Sequence, residues 1–292
     1  MQQSTLSRPA ARPKLRLSKP VRRFLKNKLA VVGAVILLIF SVLAVFAPVV
    51  APADPSQIFF SDLRAAPGGI HPFGADELGR DIFSRVVYGA RVSLSAGLVS
   101  VTLALVAGTA LGMLAGYFRG WVDEVIMRLV DAMLALPFLV LAIALAAILG
   151  PSLQNTMIAI AIVSAPAFAR ITRGEVLAQR EREYVQAAQA LGARDSRLIL
   201  RHLLPNISGA LIVQTSLAIA SAILAESSLS FLGLGIQPPA PSWGSMLNAA
   251  RGYLSEAPWM ALFPGMAIFL TVLAFNLVGD GLREAIDPRT RH

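Results

Sequence analysis

Three histidines, four lysines and one isolated carboxylate are the side chains of this sequence from which chemistry could be built. His71, His202 and His292 lie in separate segments and there is no cysteine, so neither a metal centre nor a disulfide framework is suggested. Lys14, Lys19, Lys26 and Lys28 all fall in the first segment, and none follows a glycine as the phosphate loop Gly-x4-Gly-Lys-Ser/Thr requires. Any nucleotide chemistry that drives this protein belongs to another polypeptide. No Gly-x-Ser-x-Gly elbow follows a strand-like run, and a Ser/His/Asp hydrolase is unsupported. There remains Glu226, the only acidic residue between Asp195 and Glu256, flanked by Ser227, Ser228 and Ser230 in an otherwise apolar stretch.

The elements that must hold these residues are membrane spans. With 55% hydrophobic and 15% charged residues and a mean hydropathy of +0.65, a chain of 292 residues is too apolar for water. Residues 1–28 carry nine basic side chains and no acidic one, and read as a disordered tail that orients the following span and attracts anionic lipid; nucleic acid is not its partner. Residues 29–50 are uncharged and long enough for a first span across about 30 Å of hydrocarbon, uncleaved because the run exceeds a signal-peptide core. Residues 51–91 form an external segment. Its stretch HPFGADELGRDIFSRVVYGAR puts Leu78, Ile82, Phe83, Val86, Val87 and Ala90 on one helical face and Arg80, Asp81, Ser84 and Arg85 on the other, with i, i+4 pairs Asp76 to Arg80 and Asp81 to Arg85. This is an amphipathic helix lying at the membrane interface or packed on the protein's own outer surface.

Residues 92–281 then supply five more spans. The second, 92–118, carries Gly108, Gly112 and Gly116 on one face, where small residues let helices approach closely. The third covers about 125–149 and the fourth 153–169, split at Gly150-Pro151 and kinked at Pro137 and Pro166. The fifth covers 207–231 and the sixth 259–278; between them Gly233, Gly235, Pro238, Pro239 and Pro241 forbid a continuing helix, and Trp243, Tyr253 and Trp259 suit a membrane interface. Residues 282–292 form the last tail. Six spans put both termini on one side, and all basic residues except Arg64, Arg80, Arg85, Arg91 and Arg251 gather there, which makes it the cytoplasm. Glu226 then sits in the outer part of span five. An ionisable group at membrane depth costs about 2.5 to 3.5 kcal/mol on insertion scales and seldom faces lipid. It is either a structural hydrogen-bonding group, to a neighbouring span or the loop at Gly233, or it lines the outer end of a translocation path with Ser227 and Ser230.

The cytoplasmic loop 170–206 contains an island, EYVQAAQALGARDSRLILRHLLPN over 183–206, that reads as helix, turn, helix. Tyr184, Ala187, Ala188 and Leu191 keep an apolar face, as do Leu198, Ile199, Arg201 and His202 after Gly192; the glycine takes the left-handed turn and Asp195 caps the second helix. An ordinary amphipathic loop would look similar. The spacing Ala187-Ala188, three residues, Gly192, twelve residues, Pro205 resembles the EAA loop of ABC importer membrane subunits, with Gln186 and His202 as departures.

Three further stretches, HPFGADELGRDIFSRVVYGARVSL, AESSLSFLGLGIQPPAPSWGSML and RHLLPN, extend the resemblance to nearly the whole chain. Together they resemble the dipeptide/oligopeptide permease family of ABC importers, in particular its second membrane subunit, whose own loop accommodates His202. The resemblance implies an all-α integral membrane protein with six transmembrane helices, the type I importer permease fold and a cytoplasmic coupling helix. It implies a bacterial inner-membrane subunit without catalytic residues, metal or cofactor of its own, ATP and magnesium being held by partner chains. Those partners are a second, similar permease chain in a heterodimer, two cytoplasmic ATPase subunits and an extracytoplasmic solute-binding protein. It carries Glu183, Tyr184, Ala187, Ala188, Gly192, Arg194 and Asp195 over as the ATPase-coupling segment, and Pro238, Pro239, Pro241 and Trp243 as candidate contacts of the binding protein. The implied cargo is a dipeptide or oligopeptide, with nickel complexes, glutathione and opines as alternatives. A self-contained secondary transporter would need its own charge relay or internal repeat, and little beyond Glu226 answers to that. A structural or assembly factor of the membrane is a third class, told apart from the first two by what copurifies.

Overall fold

The computed structural model describes residues 19–286, so most of the tail expected over 1–28 and the end of the tail expected over 282–292 lie outside the described residues. Among the described residues the chain is helical, with two isolated antiparallel bridges and no strand. Helices α1 (Lys19–Lys26), α2 (Lys28–Val45) and α3 (Ala47–Val50) open it, and a coiled segment leads to α4 (Ile82–Phe118). Next come α5 (Gly120–Leu134), α6 (Phe138–Leu149) and α7 (Leu153–Arg180), then the short α8 (Glu183–Ala190) and α9 (Asp195–Arg197). A widened π-type turn over Leu198–Leu203 joins α9 to α10 (Leu204–Phe231), and α11 (Trp243–Ala250) and α12 (Trp259–Ile286) complete the order. Five helices are long and apolar enough to cross a membrane, and α5 with α6 makes a sixth span if the bent pair counts as one.

The centre is the pair α4 and α7. A Cβ on Gly108 would meet the carbonyl oxygen of Ala165, one on Gly112 that of Ala169, and one on Gly116 would lie 2.9 Å from Cβ of Val176. Hydrogen in place of a methyl group lets the two backbones touch along three turns, the packing that spans use where lipid offers no hydrophobic drive between helices. Helix α10 packs across both, with Ile223 filling the space above Gly97. The first span, α2, lies along α12, where Gly33 sits under the Ala274 carbonyl. Asn27 caps α2 by accepting from Ala30 N at 3.1 Å and donates to Glu284 at 2.7 Å, tying the start of α2 to the end of α12. At the other end of α2 the tie is to α4, whose Arg91 donates to the carbonyls of Ala44 and Val45 at 3.0 and 3.1 Å.

Several expected boundaries change. The first span ends at Val45 and restarts at Ala47, because Pro48 cannot donate into a continuing helix. The third is two helices bent by 95°, far sharper than a kink, since Pro137 (ψ 129°) takes an extended conformation between them. Helix α7 runs on to Arg180 and α12 to Ile286, each beyond the apolar part that sequence marks.

Of the amphipathic helix expected before span two, the part from Ile82 forms as the first turns of α4 itself, and the part before it does not. Gly74 and Gly79 have φ of +81° and +77°, and the Asp76 carboxylate accepts from Leu78 N and Arg80 N at 2.9 Å each, so the chain turns where periodicity suggests a helix. The Asp76 to Arg80 pair exists at 2.7 Å, but across this turn. Asp81 does not pair with Arg85; it caps α4 by accepting from Ser84 N at 2.7 Å, while Arg85 reaches the Pro55 carbonyl at 2.8 Å and Asp76 at 3.3 Å. Arg80, Asp81, Ser84 and Arg85, expected on the wet face, are all buried. His71 is buried beside them, with its ring nitrogens 3.1 Å from Asp81 and 3.3 Å from Asp62. Residues 51–81 are thereby knitted onto the outer start of α4 as a polar cap.

Candidate functional site

At the opposite end of the bundle, α8 ends in a Schellman motif. Gly192 N donates to Gln189 O at 2.9 Å and Ala193 N to Ala188 O at 3.1 Å, with Gly192 at φ +79°. Glu183 stands in the first turn of α8, where a carboxylate complements the helix dipole. The inward anchors are Val185, Leu198 and Leu203, all buried, with Ala188, Ala193 and Ile199 packed against the same core. The apolar face expected from Tyr184, Ala187 and Leu191 therefore points outward: Tyr184 is 40% and Leu191 89% exposed. Tyr184 donates to Gln179 at 3.0 Å and tilts against the ring of His202, while Arg194 and Arg201 are exposed. Asp195 does not cap the second helix as expected. Its Oδ1 accepts a 2.5 Å hydrogen bond from the Tyr117 hydroxyl, which turns the carboxylate toward α4 instead of its own helix start.

Glu226 is enclosed entirely by its own chain. Its Oε2 accepts from Ser93 Oγ of α4 at 3.1 Å and its Oε1 from Ser230 Oγ at 2.7 Å. Ser227 is buried next to it, and a Cβ on Gly244 would strike the Ser227 backbone. Helix α11 thus lies directly against this part of α10. Its first residue, Trp243, is buried, with Nε1 donating to Val86 O at 3.0 Å and its ring edge-on to Phe40 at 5.6 Å. Trp243 is accordingly a core residue and not a residue of the membrane interface. Pro241 is buried too; Pro238 and Pro239 are exposed, so of the four candidate contacts for an external protein only these two present surface. Among the described residues, no three His, Asp or Glu side chains converge to hold a metal ion.

The family model described as "Binding-protein-dependent transport system inner membrane component" matches residues 108–292, the greater part of the chain. The chain belongs to this permease family. A second model, the N-terminal transmembrane domain of oligopeptide transport permease C, matches residues 19–67. The permease is 50% identical to the dipeptide transport system permease protein of Alkalihalophilus pseudofirmus over 266 residues, covering 91% of this chain and 88% of that one. It is 47% identical over 271 residues to the glutathione transport system permease protein of Pectobacterium atrosepticum, covering 92% and 90%. A solved inward-facing conformation of the MetNI methionine ABC transporter superposes with a TM-score of 0.58 at 20% identity, covering 70% of this chain and 98% of that chain. The permease therefore has the type I ABC importer fold, is a multi-pass inner-membrane protein, and is the permease component of an ABC importer of the dipeptide/oligopeptide class.

Two residues of this permease escaped the sequence reading, Tyr117 and Arg180. Arg180 donates to the Tyr117 carbonyl and lies over its ring at 5.4 Å, while Arg119 pairs with Glu181 at 2.6 Å. The available signal was a tyrosine in the last turn of an uncharged span, two residues before an arginine.

Proposed function

We propose that this permease is one half of a heterodimeric translocation path for short peptides, that its Gly192 turn docks on a cytoplasmic ATPase subunit, and that both termini are cytoplasmic. A second, similar permease chain, two ATPase chains carrying ATP and magnesium, and an external solute-binding protein complete the transporter. The observation that carries the reading is the Gly192 turn itself. It is a rigid helix-turn-helix whose outward face carries Tyr184, Ala187 and Leu191, apolar surface beyond the end of the spans that a partner protein would cover. Its end of the bundle also collects Arg119, Arg128, Arg170, Arg173, Arg180, Arg194, Arg197 and Arg283, in keeping with a cytoplasmic side. The relatives named for dipeptides and for glutathione, itself a tripeptide, support short peptides as the cargo class.

Because the chain has no cysteine, one introduced at exposed Gln189 is the only thiol it offers a crosslinker. Crosslinking of Gln189→Cys to a copurifying ATPase chain is expected. If the tagged protein is isolated from gently solubilised membranes with no ATPase chain attached, the reading fails. Import of a labelled dipeptide, competed by other short peptides but not by free amino acids, is the matching expectation for cargo.

A further inference from the structure

Tyr117 occupies the last turn of α4 and is 7% exposed, yet it touches the chain on both sides of α8. Its hydroxyl donates to Asp195 Oδ1 at 2.5 Å, at the residue where the chain leaves the Gly192 turn. Its carbonyl accepts from Arg180 Nη1, and its ring carries the Arg180 guanidinium at 5.4 Å, at the residue where α7 gives way to the approach to α8. One residue of α4 therefore grips the entry and the exit of the docking turn. We propose that Tyr117 is the joint through which a displacement of the Gly192 turn is passed into the membrane, with Arg180 and Asp195 as its two attachments. This rests on the docking role proposed above and adds the route by which docking is felt inside the bilayer.

The geometry explains why one joint suffices. Behind Tyr117, α4 and α7 are in backbone contact at Gly108, Gly112 and Gly116, so they have no slack along three turns and move as a unit. An α8 anchored by Val185 and tied to α4 through Arg180 alone would be coupled to that helix at one end only. Pinned through Asp195 as well, it cannot rotate without moving the end of α4. Both attachments are of the charge-assisted kind, a carboxylate accepting from the Tyr117 hydroxyl at 2.5 Å and a guanidinium donating to the Tyr117 carbonyl, and such bonds are shorter and stronger than neutral ones. Arg119, two residues on, adds an exposed ion pair to Glu181, but at 46% and 64% exposure its partners are too wet to carry force alone.

The test uses the complete transporter in proteoliposomes with its binding protein, reading peptide uptake and ATP hydrolysis together. Tyr117→Phe removes one hydroxyl and keeps the ring under Arg180. Uptake is expected to fall about ten-fold, the scale set by losing one hydrogen bond to a charged group, while ATP hydrolysis continues, so more ATP is spent per peptide imported. Asp195→Asn keeps an acceptor for the hydroxyl but loses the charge, and is expected to fall between wild type and Tyr117→Phe; Asp195→Ala is expected to match Tyr117→Phe. The double variant Tyr117→Phe/Asp195→Ala should be no worse than either single one, because both remove the same bond. Unchanged uptake per ATP in Tyr117→Phe overturns the proposal, and so does a double variant in which the two losses multiply. The Gln189→Cys crosslink runs alongside: formed both in Gln189→Cys alone and in Gln189→Cys/Tyr117→Phe, it shows that the docking is intact and that a negative result concerns the joint alone. Absent in Gln189→Cys alone, it removes the docking role on which the joint depends.

Discussion

At the scale of single residues, Gly192 is where backbone and function meet most directly. A Cβ there would touch nothing within 4 Å, so the cost of substitution is the φ of +79° and not crowding. Valine, branched at Cβ, should lose roughly 1 to 3 kcal/mol through strain, and asparagine, which tolerates the left-handed region, a fraction of that. Transport and transport-coupled ATP hydrolysis are expected to fall together in Gly192→Val and to persist in Gly192→Asn, with ligand capture by the binding protein intact in both; equal uptake by the two variants would contradict this. Glu226 gives the second prediction. Two hydroxyls converge on it and it is enclosed, so Glu226→Gln, which keeps shape and hydrogen-bonding capacity, should retain uptake within about two-fold, while Glu226→Ala strands Ser93 and Ser230 and costs about 2 to 4 kcal/mol, visible as a lower melting temperature in detergent. A large uptake loss in Glu226→Gln at normal membrane levels would return this carboxylate to the translocation path. Sequence made Gly192 legible because glycine is the residue that takes that conformation without strain. It could not place Asp195 or Trp243, whose partners Tyr117 and Val86 are 78 and 157 residues away.

At the scale of elements, the glycine stripe of α4 makes a sharp expectation. Gly112→Val places a side chain on the Ala169 carbonyl and Cβ of Thr172, neither of which is a flexible side-chain end, so α4 and α7 must separate. Loss of folded protein from the membrane, measured by protease resistance, should follow, whereas Gly174→Ala, in open space on α7, should be silent. The stripe was visible beforehand because a four-residue repeat of small residues in an uncharged span has few other uses. The start of α4 is less legible for the converse reason. The apolar period suits a helix, and from Ile82 it is one, continuous with the span, but ahead of it Gly74 and Gly79 at positive φ and the Asp76 side chain bonding its own backbone impose turns that periodicity does not register. Helix α11 was missed because Pro238, Pro239 and Pro241 drew attention from the Ser242 and Ser245 capping box that starts it.

At the scale of the whole molecule, orientation is the remaining expectation: a reporter inserted beside Gln189 should read cytoplasmic and one inserted at Gly68 or Gly69 external. Both glycines have open space around them, so the insertion leaves packing alone. An external signal at Gln189 would defeat the docking role. The alternation of spans was plain from hydropathy; the order in which spans touch was not, because lipid-facing and helix-facing apolar residues look alike in sequence. That order has a consequence in time. The span made first, α2, packs against the one made last, α12, through Gly33 under Ala274 and Asn27 bonded to Glu284, 257 residues later. At about 5 to 20 residues per second of synthesis, α2 waits on the order of 10 to 50 seconds in the bilayer before its neighbour exists. Until then the newborn chain holds its first span only at the end that Arg91 ties to α4, and the face of α2 that Ala274 will cover stays turned to lipid.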